Sequence, residues 1–349
     1  MPRIAKLSLV FVALAIPFAA LLGTLVAGRG EASATERRTA AKDKPVVLAF
    51  GGDVHFEGVL ELKLASSPER LLAPIAPVLD DADLAIVNLE TAVTNGGAPA
   101  AKQFVFGAPP DAFTALRAGG VDVASMANNH GLDFGEAGLR DSLAAARRAR
   151  FPVIGIGLDG KQAYRPFRRT IDGQRIAVIG ATQVLDDHLI SAWTAGPGKP
   201  GLASAKDVPR LVQEVRAARR TSDTVVVFLH WGVELEQCPT TDQRTLAKQL
   251  VAAGADVVVG GHAHRLLGAG RMGNAFVGYG LGNFVWYGTS ELSTQTGVLF
   301  VSVTGRKVND YRWVPARIVD GVPSAVSGAE RRQELASWRS LRRCTGLKP

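Results

Sequence analysis

Residues 254–264 read GADVVVGGHAH. A β-branched apolar run bounded by glycine is the pattern of a fully buried strand, and Gly260-Gly261 permits a sharp turn where that strand leaves its sheet. His262 and His264 then fall at the strand's C-terminal end. Alternation along an extended segment sets i and i+2 on one side, so both imidazoles can face one point, as a metal centre requires. The same string also arises as ordinary turn chemistry, so its meaning depends on what the rest of the chain brings to it.

Working outward, the same arrangement recurs. VVLAFGG delivers Asp53 and His55, LAIV delivers Asn88 and Glu90, VDVASM delivers Asn128, Asn129 and His130, and TVVVFL delivers His230. Five of the six histidines lie at such strand ends; His188 does not. Helical stretches separate the strands, at 70–79 (interrupted by prolines), 110–118, 136–150, 208–220 and 245–253, and alternation of this kind favours a largely parallel sheet with its functional loops at the carboxyl ends. Asp172-Gly173 between two apolar runs predicts a hairpin. After residue 275 the pattern is strand after strand, with a turn at 280–283. Taken singly, Asp53 reads equally as a helix cap, Asn129 as a turn residue and His230 as a core histidine. Taken together, carboxylates, imidazoles and an amide at equivalent positions predict a ligand set. It lacks thiolate, which suits Mn²⁺, Fe²⁺ or Zn²⁺. Seven donors exceed one tetrahedral site and suit two ions sharing a carboxylate, an arrangement that activates water and neutralises an anionic substrate.

At 349 residues, with 47% hydrophobic and 21% charged residues, the chain has ample material for a core, so disorder is not the default reading. Arg3 and Lys6 precede an almost unbroken apolar segment at 7–26, and Ala32-Ser33-Ala34 supplies a small-residue exit. This is a secretory signal pattern at 1–34, cleaved or retained as an anchor, and either form places the body outside the cytoplasm, secreted or membrane-anchored. Residues 35–44 read as a linker, 45–320 as one domain and 321–349 as a basic C-terminal tail. The formal charge of +8 is compatible with an anionic polymer or a phosphoester and selects neither; no specific nucleic-acid binding is expected. The two cysteines, Cys238 and Cys344, have no zinc-type spacing, so in an oxidising compartment they are expected to form one disulfide.

GGDVHFEG, IVNLET, MANNHGLDFG, HWGVE, GADVVVGGHAH and YGLGNF, in this order across about 45–310, resemble the motif series of the CapA family. These are capsule or poly-γ-glutamate biosynthesis proteins within the calcineurin-like metallophosphoesterase superfamily. The resemblance implies an α/β fold, a four-layer α-β-β-α sandwich. It also implies Asp53, His55 and His264 as ligands of one metal, Asn129, His230 and His262 as ligands of the other, and Glu90 as the bridge. His130 resembles the superfamily histidine that contacts substrate and protonates the leaving group, with Asp133 orienting it. Asn128, Glu234 and Asn283, within the same motifs, are candidate substrate contacts. The wider superfamily usually has aspartate where Glu90 stands. Glutamate is the CapA family's own pattern and weakens the transfer of phosphatase activity, whereas His55 completes the superfamily's Asp-x-His.

The expectation is an extracytoplasmic protein with a dinuclear metal site, acting in synthesis, export or attachment of an anionic surface polymer by hydrolysing a phosphoester or related bond. Its partners would be that polymer or a phosphoester substrate, together with membrane-bound capsule synthesis proteins. Two alternatives stand beside it: a non-catalytic scaffolding subunit of a capsule assembly machine, and a secreted nucleotidase or phosphodiesterase.

Overall fold

A computed structural model describes residues 44–349; the leader at 1–34 and nearly all of the linker lie outside the described residues. Two sheets stack face to face. In the first, Val46–Val54, Leu84–Leu89, Val123–Ser125 and Val153–Ile154 run parallel. On the other side of Val46–Val54 the sheet continues antiparallel through Gln295–Thr304, Lys307–Val319 and Val322–Ala325, and the short Asn283–Val285 pairs parallel with the end of Val46–Val54. In the second sheet Gln174–Thr182, Thr224–His230, Val257–Gly261 and Ala275–Gly278 are parallel neighbours, edged by the antiparallel Phe167–Ile171 and Ala269–Met272.

The central strands read as unbroken apolar runs because both of their faces are buried. Leu48, Phe50, Leu84 and Ile86 project from the first sheet into the layer between the sheets, where they meet Val178, Val226, Phe228 and Val259 from the second. The alternate residues face outward. Ala49, Val87 and Leu89 pack beneath the helices Val59–Ser66, Asp111–Ala118 and Gly135–Ala149. Ala177, Val227 and Val258 pack beneath Val208–Thr221 and Thr241–Ala253. The result is the four-layer α-β-β-α sandwich. Each fully buried Val, Leu, Ile or Phe contributes about 1.5–3 kcal/mol relative to exposure, so the three layers of apolar contact fix the register on which the site depends.

Several local expectations change. The proline interruption expected at 70–79 leaves only a single 3₁₀ turn at Pro68–Arg70 and a short helix at Ala76–Leu79, because Pro74 and Pro77 break the hydrogen-bond ladder. The helix Val59–Ser66 has no clean apolar face: Leu60 and Leu64 are buried while Val59 and Leu62 are exposed. The hairpin at Asp172-Gly173 is present, with φ 44° and 75° at the two turn residues. The helix Thr241–Ala253 begins earlier than expected because Thr240 accepts from the Gln243 N–H while Gln243 caps the Thr240 N–H. The expected tail at 321–349 carries regular structure. Val322–Ala325 extends the first sheet, and the helix Gly328–Ser340 sets Trp338 flat on Trp313 with centroids 5.4 Å apart. Cys238 and Cys344 form a disulfide, Cα atoms 5.7 Å apart. Among the described residues no helix is long and apolar enough to cross a membrane.

Candidate metal centre

The carboxyl ends of strands from both sheets meet at one edge of the sandwich. Asp53 lies inside its strand, which continues through Gly51 and Gly52 to Val54. Close approach explains the glycines: a Cβ at Gly52 would sit 1.9 Å from the Gly282 carbonyl oxygen, and one at Gly261 2.1 Å from Asp53 Oδ1. At Gly260 a Cβ would lie 2.3 Å from Trp231 Nε1. Gly260 and Gly261 thus stay in the strand and serve packing, not the expected turn. The turn is made by the histidines themselves, His262 at φ 95° and His264 at φ 53°. Their rings converge, centroids 5.8 Å apart, through left-handed backbone in place of extended alternation. Non-glycine residues seldom occupy that region, at a cost of order 1–3 kcal/mol each, and such strain clusters at functional sites.

Two groups of donor atoms share one carboxylate: Asp53, Glu90 and His230 form the first, and Glu90, His262 and His264 the second. All but His264 are buried, and His264 is nearly so. Asn88 brackets the cluster, its amide nitrogen lying 2.8 Å from Asp53 Oδ1, 3.3 Å from Glu90 Oε2 and 3.2 Å from His230 Nδ1. The His262 backbone N–H donates to Asp53 Oδ2 at 2.9 Å. Asn129 Oδ1 stands 2.8 Å from His230 Nε2, so two donor atoms reach one spot. Asn283 Oδ1 accepts from His264 Nδ1 at 2.9 Å, and the same nitrogen lies 3.8 Å from Asp53 Oδ2. The Asn283 amide is otherwise taken by the His264 and Ser293 carbonyls, so this residue orients a ligand.

His55 is placed differently from the other six expected ligands and belongs to neither group. Its Nδ1 faces the Glu57 N–H at 3.1 Å and its Nε2 the Tyr287 N–H at 3.4 Å, so both ring nitrogens are met by backbone donors. The ring stacks on Phe106 and meets Trp286 and Tyr287 edge-on, centroids 4.2 to 4.8 Å away. His130 lies on the opposite face of Phe106, centroids 4.0 Å apart. Its Nδ1 meets Asp133 Oδ2 at 2.5 Å, leaving Nε2 directed at Glu90 Oε1, 3.9 Å away. Asp133 is held in turn by the Phe106 N–H at 2.7 Å and the Lys102 ammonium at 2.9 Å. Lys102 also donates to the Asn129 carbonyl. Neither Lys102 nor Phe106 stands in a sequence pattern that marks it. Asn128 is fully buried, its amide spent on Asn88 Oδ1, the Leu89 carbonyl and the His130 N–H, so it braces the loop. Glu234 is exposed at the rim, and His188 is exposed and remote from these contacts.

The electrostatics follow from burial. Desolvation, with Glu90 adding to it, pushes Asp53 up to about 6, and desolvation raises Glu90 as well. Burial depresses His230 to about 4, His55 to about 3 and His262 well below its ordinary value. His264 moves the other way: burial opposes its charge, but Glu90 and Asp53 outweigh that. Two buried atoms, Glu90 Oε1 and His262 Nδ1, have no hydrogen-bond partner. Unsatisfied groups of this kind cost about 1–3 kcal/mol each, more when charged. Carboxylates resisting ionisation beside neutral imidazoles with orphaned lone pairs fit cation binding: a divalent ion would satisfy the orphans and favour the ionised carboxylates.

A sequence profile described as "Bacterial capsule synthesis protein PGA_cap" matches residues 47–287. The chain belongs to this family. Its match takes in the parallel strands of both sheets and every residue of the cluster, and ends before the antiparallel strands Gln295–Thr304, Lys307–Val319 and Val322–Ala325. The PGA biosynthesis protein CapA of Bacillus subtilis (strain 168) is 27% identical over 336 residues, covering 93% of this chain and 84% of that protein. The capsule biosynthesis protein CapA of Bacillus anthracis is 28% identical over 331 residues, covering 91% and 79%. A solved structure described as a novel phosphatase from Mycoplasma pneumoniae superposes with a TM-score of 0.50 at 15% identity, covering 78% of this chain and 94% of that one. Family membership therefore comes with a phosphoesterase-like fold.

Proposed function

We infer that this family member is an extracytoplasmic metal-dependent hydrolase that cleaves a phosphoester or related bond while an anionic surface polymer is made, exported or attached. The observation that carries the reading is Glu90: its carboxylate is common to both donor groups, and its buried Oε1 has no hydrogen-bond partner and lies 3.4 Å from His230 Nε2. Asp53, Glu90, His230, His262, His264 and Asn129 would hold two divalent ions. When bound, such ions supply an activated water and neutralise charge on the substrate. The chain's own residues do the rest. Asn88 holds three ligands in register, Asn283 fixes the His264 tautomer, and Asp133 with Lys102 holds His130 so that Nε2 can deliver a proton to a departing oxygen. The signal pattern at 1–34 and the Cys238–Cys344 disulfide support an oxidising, extracytoplasmic setting. One observation favours the scaffolding alternative: His55 spends Nδ1 on the Glu57 N–H and faces aromatic rings.

A panel of aryl phosphomonoesters and phosphodiesters, assayed with and without added Mn²⁺, separates the two. Turnover that needs the ion and falls with Glu90→Gln supports hydrolysis. A metal-loaded chain inert toward the whole panel overturns it in favour of scaffolding.

A further inference from the structure

Away from the metal centre, the two sheets end at one side of the sandwich in the edge strands Val153–Ile154 and Phe167–Ile171. Between them lie two adjoining cavities of about 520 and 390 Å³ that share Phe151, Phe167 and Arg168. Six cations line this groove, and all are arginine: Arg117, Arg147, Arg150, Arg165, Arg168 and Arg169. They come from separate places in the chain, namely the helix Asp111–Ala118, the helix Gly135–Ala149 and its left-handed cap residue Arg150, the loop before Phe167, and the edge strand itself. One carboxylate, Asp122, lines the groove, and it is paired with Arg169 at 2.8 Å. Over the whole chain basic and acidic residues stand at 40 to 32, so six against one is a local excess that composition does not produce. Arg147 and Arg150 are well placed at a helix C-terminus. That does not account for Arg165 and Arg168 reaching the same groove from another sheet.

The floor is apolar. Phe151, Ile154 and Ile156 are almost fully buried there, and Phe151 already stacks on Phe113 and lies under Arg117. A base-stacking platform needs a succession of exposed aromatic faces, and here Phe151 is buried and Phe167 alone is part-exposed. Arginine forks bind carboxylates in bidentate fashion where lysine would act as a point charge, and an apolar floor suits the methylene spacers of a flexible polyacid. We propose that this groove binds a linear polycarboxylate chain, at a site separate from the metal centre. The proposal rests on the anionic-polymer reading above and gives it a location and a carboxylate chemistry.

The test is fluorescence anisotropy of labelled poly-glutamate with the full chain, at low salt and across a salt series. Combining Arg147→Glu, Arg165→Glu and Arg168→Glu should weaken binding on the order of tenfold to a hundredfold and flatten the salt dependence. The matched reversal Arg331→Glu, Arg332→Glu and Arg339→Glu, on an exposed helix elsewhere, should cost only a few-fold. Arg147→Lys with Arg165→Lys keeps charge and leaves in place the Arg168 guanidinium, which donates to the Thr221 and Ser222 hydroxyls; it should still lose several-fold because two forks are gone. Equal losses in the groove and control reversals, or wild-type affinity in both groove variants, would overturn the proposal. So would an oligonucleotide that binds the groove more tightly than poly-glutamate, which would make it a nucleic-acid site. Turnover of a small aryl phosphodiester should be unchanged in the groove variants. A chain that binds poly-glutamate through these arginines yet hydrolyses nothing would sink the hydrolase reading and leave the groove standing.

Discussion

Gly261→Ala offers a sharp test of how the sandwich builds its ligand cluster. The added methyl would be placed 2.1 Å from Asp53 Oδ1 and 3.0 Å from Oδ2, far inside van der Waals contact. Asp53 is fully buried and cannot swing away without losing the Asn88 amide at 2.8 Å or the His262 N–H at 2.9 Å. A hydrogen bond to a charged acceptor is worth about 1.5–3 kcal/mol, and overpacking a tight core costs about 1–3 kcal/mol. Losing one bond and bearing the strain therefore amounts to about 2.5–6 kcal/mol, a large share of the 5–15 kcal/mol typical of a folded domain. Gly96→Ala is the control: its Cβ would meet nothing within 4 Å at an ordinary φ, so it should be neutral or slightly stabilising. Urea titration followed by tryptophan fluorescence, with elemental analysis of the folded protein, reads both effects. Gly261→Ala should lower the midpoint and lose bound metal. Wild-type midpoint and metal content in that variant would refute the claim that glycine stands there to admit the Asp53 carboxylate.

Other expectations address the chemistry and the frame. His130→Gln should keep fold and metal content yet lose about 10²–10⁴ in turnover on substrates with poor leaving groups, and much less on activated aryl esters, since only the former need a proton donor; equal losses on both would rule out the acid role. Metal affinity should fall as pH drops through about 6, because in the metal-free site Asp53 takes up a proton there and that proton competes with the cation. Calorimetry near pH 6 in buffers of different ionisation enthalpy should show proton release, and a buffer-independent enthalpy would count against it. Replacing both Cys238 and Cys344 by serine opens a loop closed across 106 residues, which chain entropy values at up to about 4–5 kcal/mol, so the melting temperature should fall by several degrees; an unchanged melting temperature would show the bridge adds nothing.

Much of the fold was legible because the central strands are buried on both faces. Runs such as VVLAF and TVVVFL leave no polar face to confuse their period, and polar residues return only where the strands end. Asp53, Glu90, Asn129, His230, His262 and His264 could be picked out for that reason. What could not be read depends on contacts across the chain. Gly260 and Gly261 look like turn residues until Trp231 and Asp53 are seen pressing on them. His262 and His264 suggest simple alternation, yet both adopt left-handed backbone. Lys102 lies in a loop with no local pattern, and only the fold brings it to Asp133 and the Asn129 carbonyl. His55 completes a sequence motif, but its ring is claimed by the Glu57 N–H and the aromatic residues Phe106, Trp286 and Tyr287. The helix Val59–Ser66 shows no clean apolar face, with Val59 and Leu62 exposed beside the buried Leu60 and Leu64, so its sequence does not mark it.

The central claim is that Glu90 joins two cation sites, and metal stoichiometry tests it most directly. Wild-type protein saturated with Mn²⁺ or Zn²⁺, freed of excess ion and analysed by mass spectrometry of the elements, should hold two ions per chain. Asp53→Ala and Glu90→Ala should each lose at least one, because each removes an anionic ligand from a set otherwise made of neutral imidazoles and an amide, whereas His188→Ala should keep both. Two ions retained in both the Asp53 and Glu90 variants, or none in the wild type, would contradict the dinuclear centre.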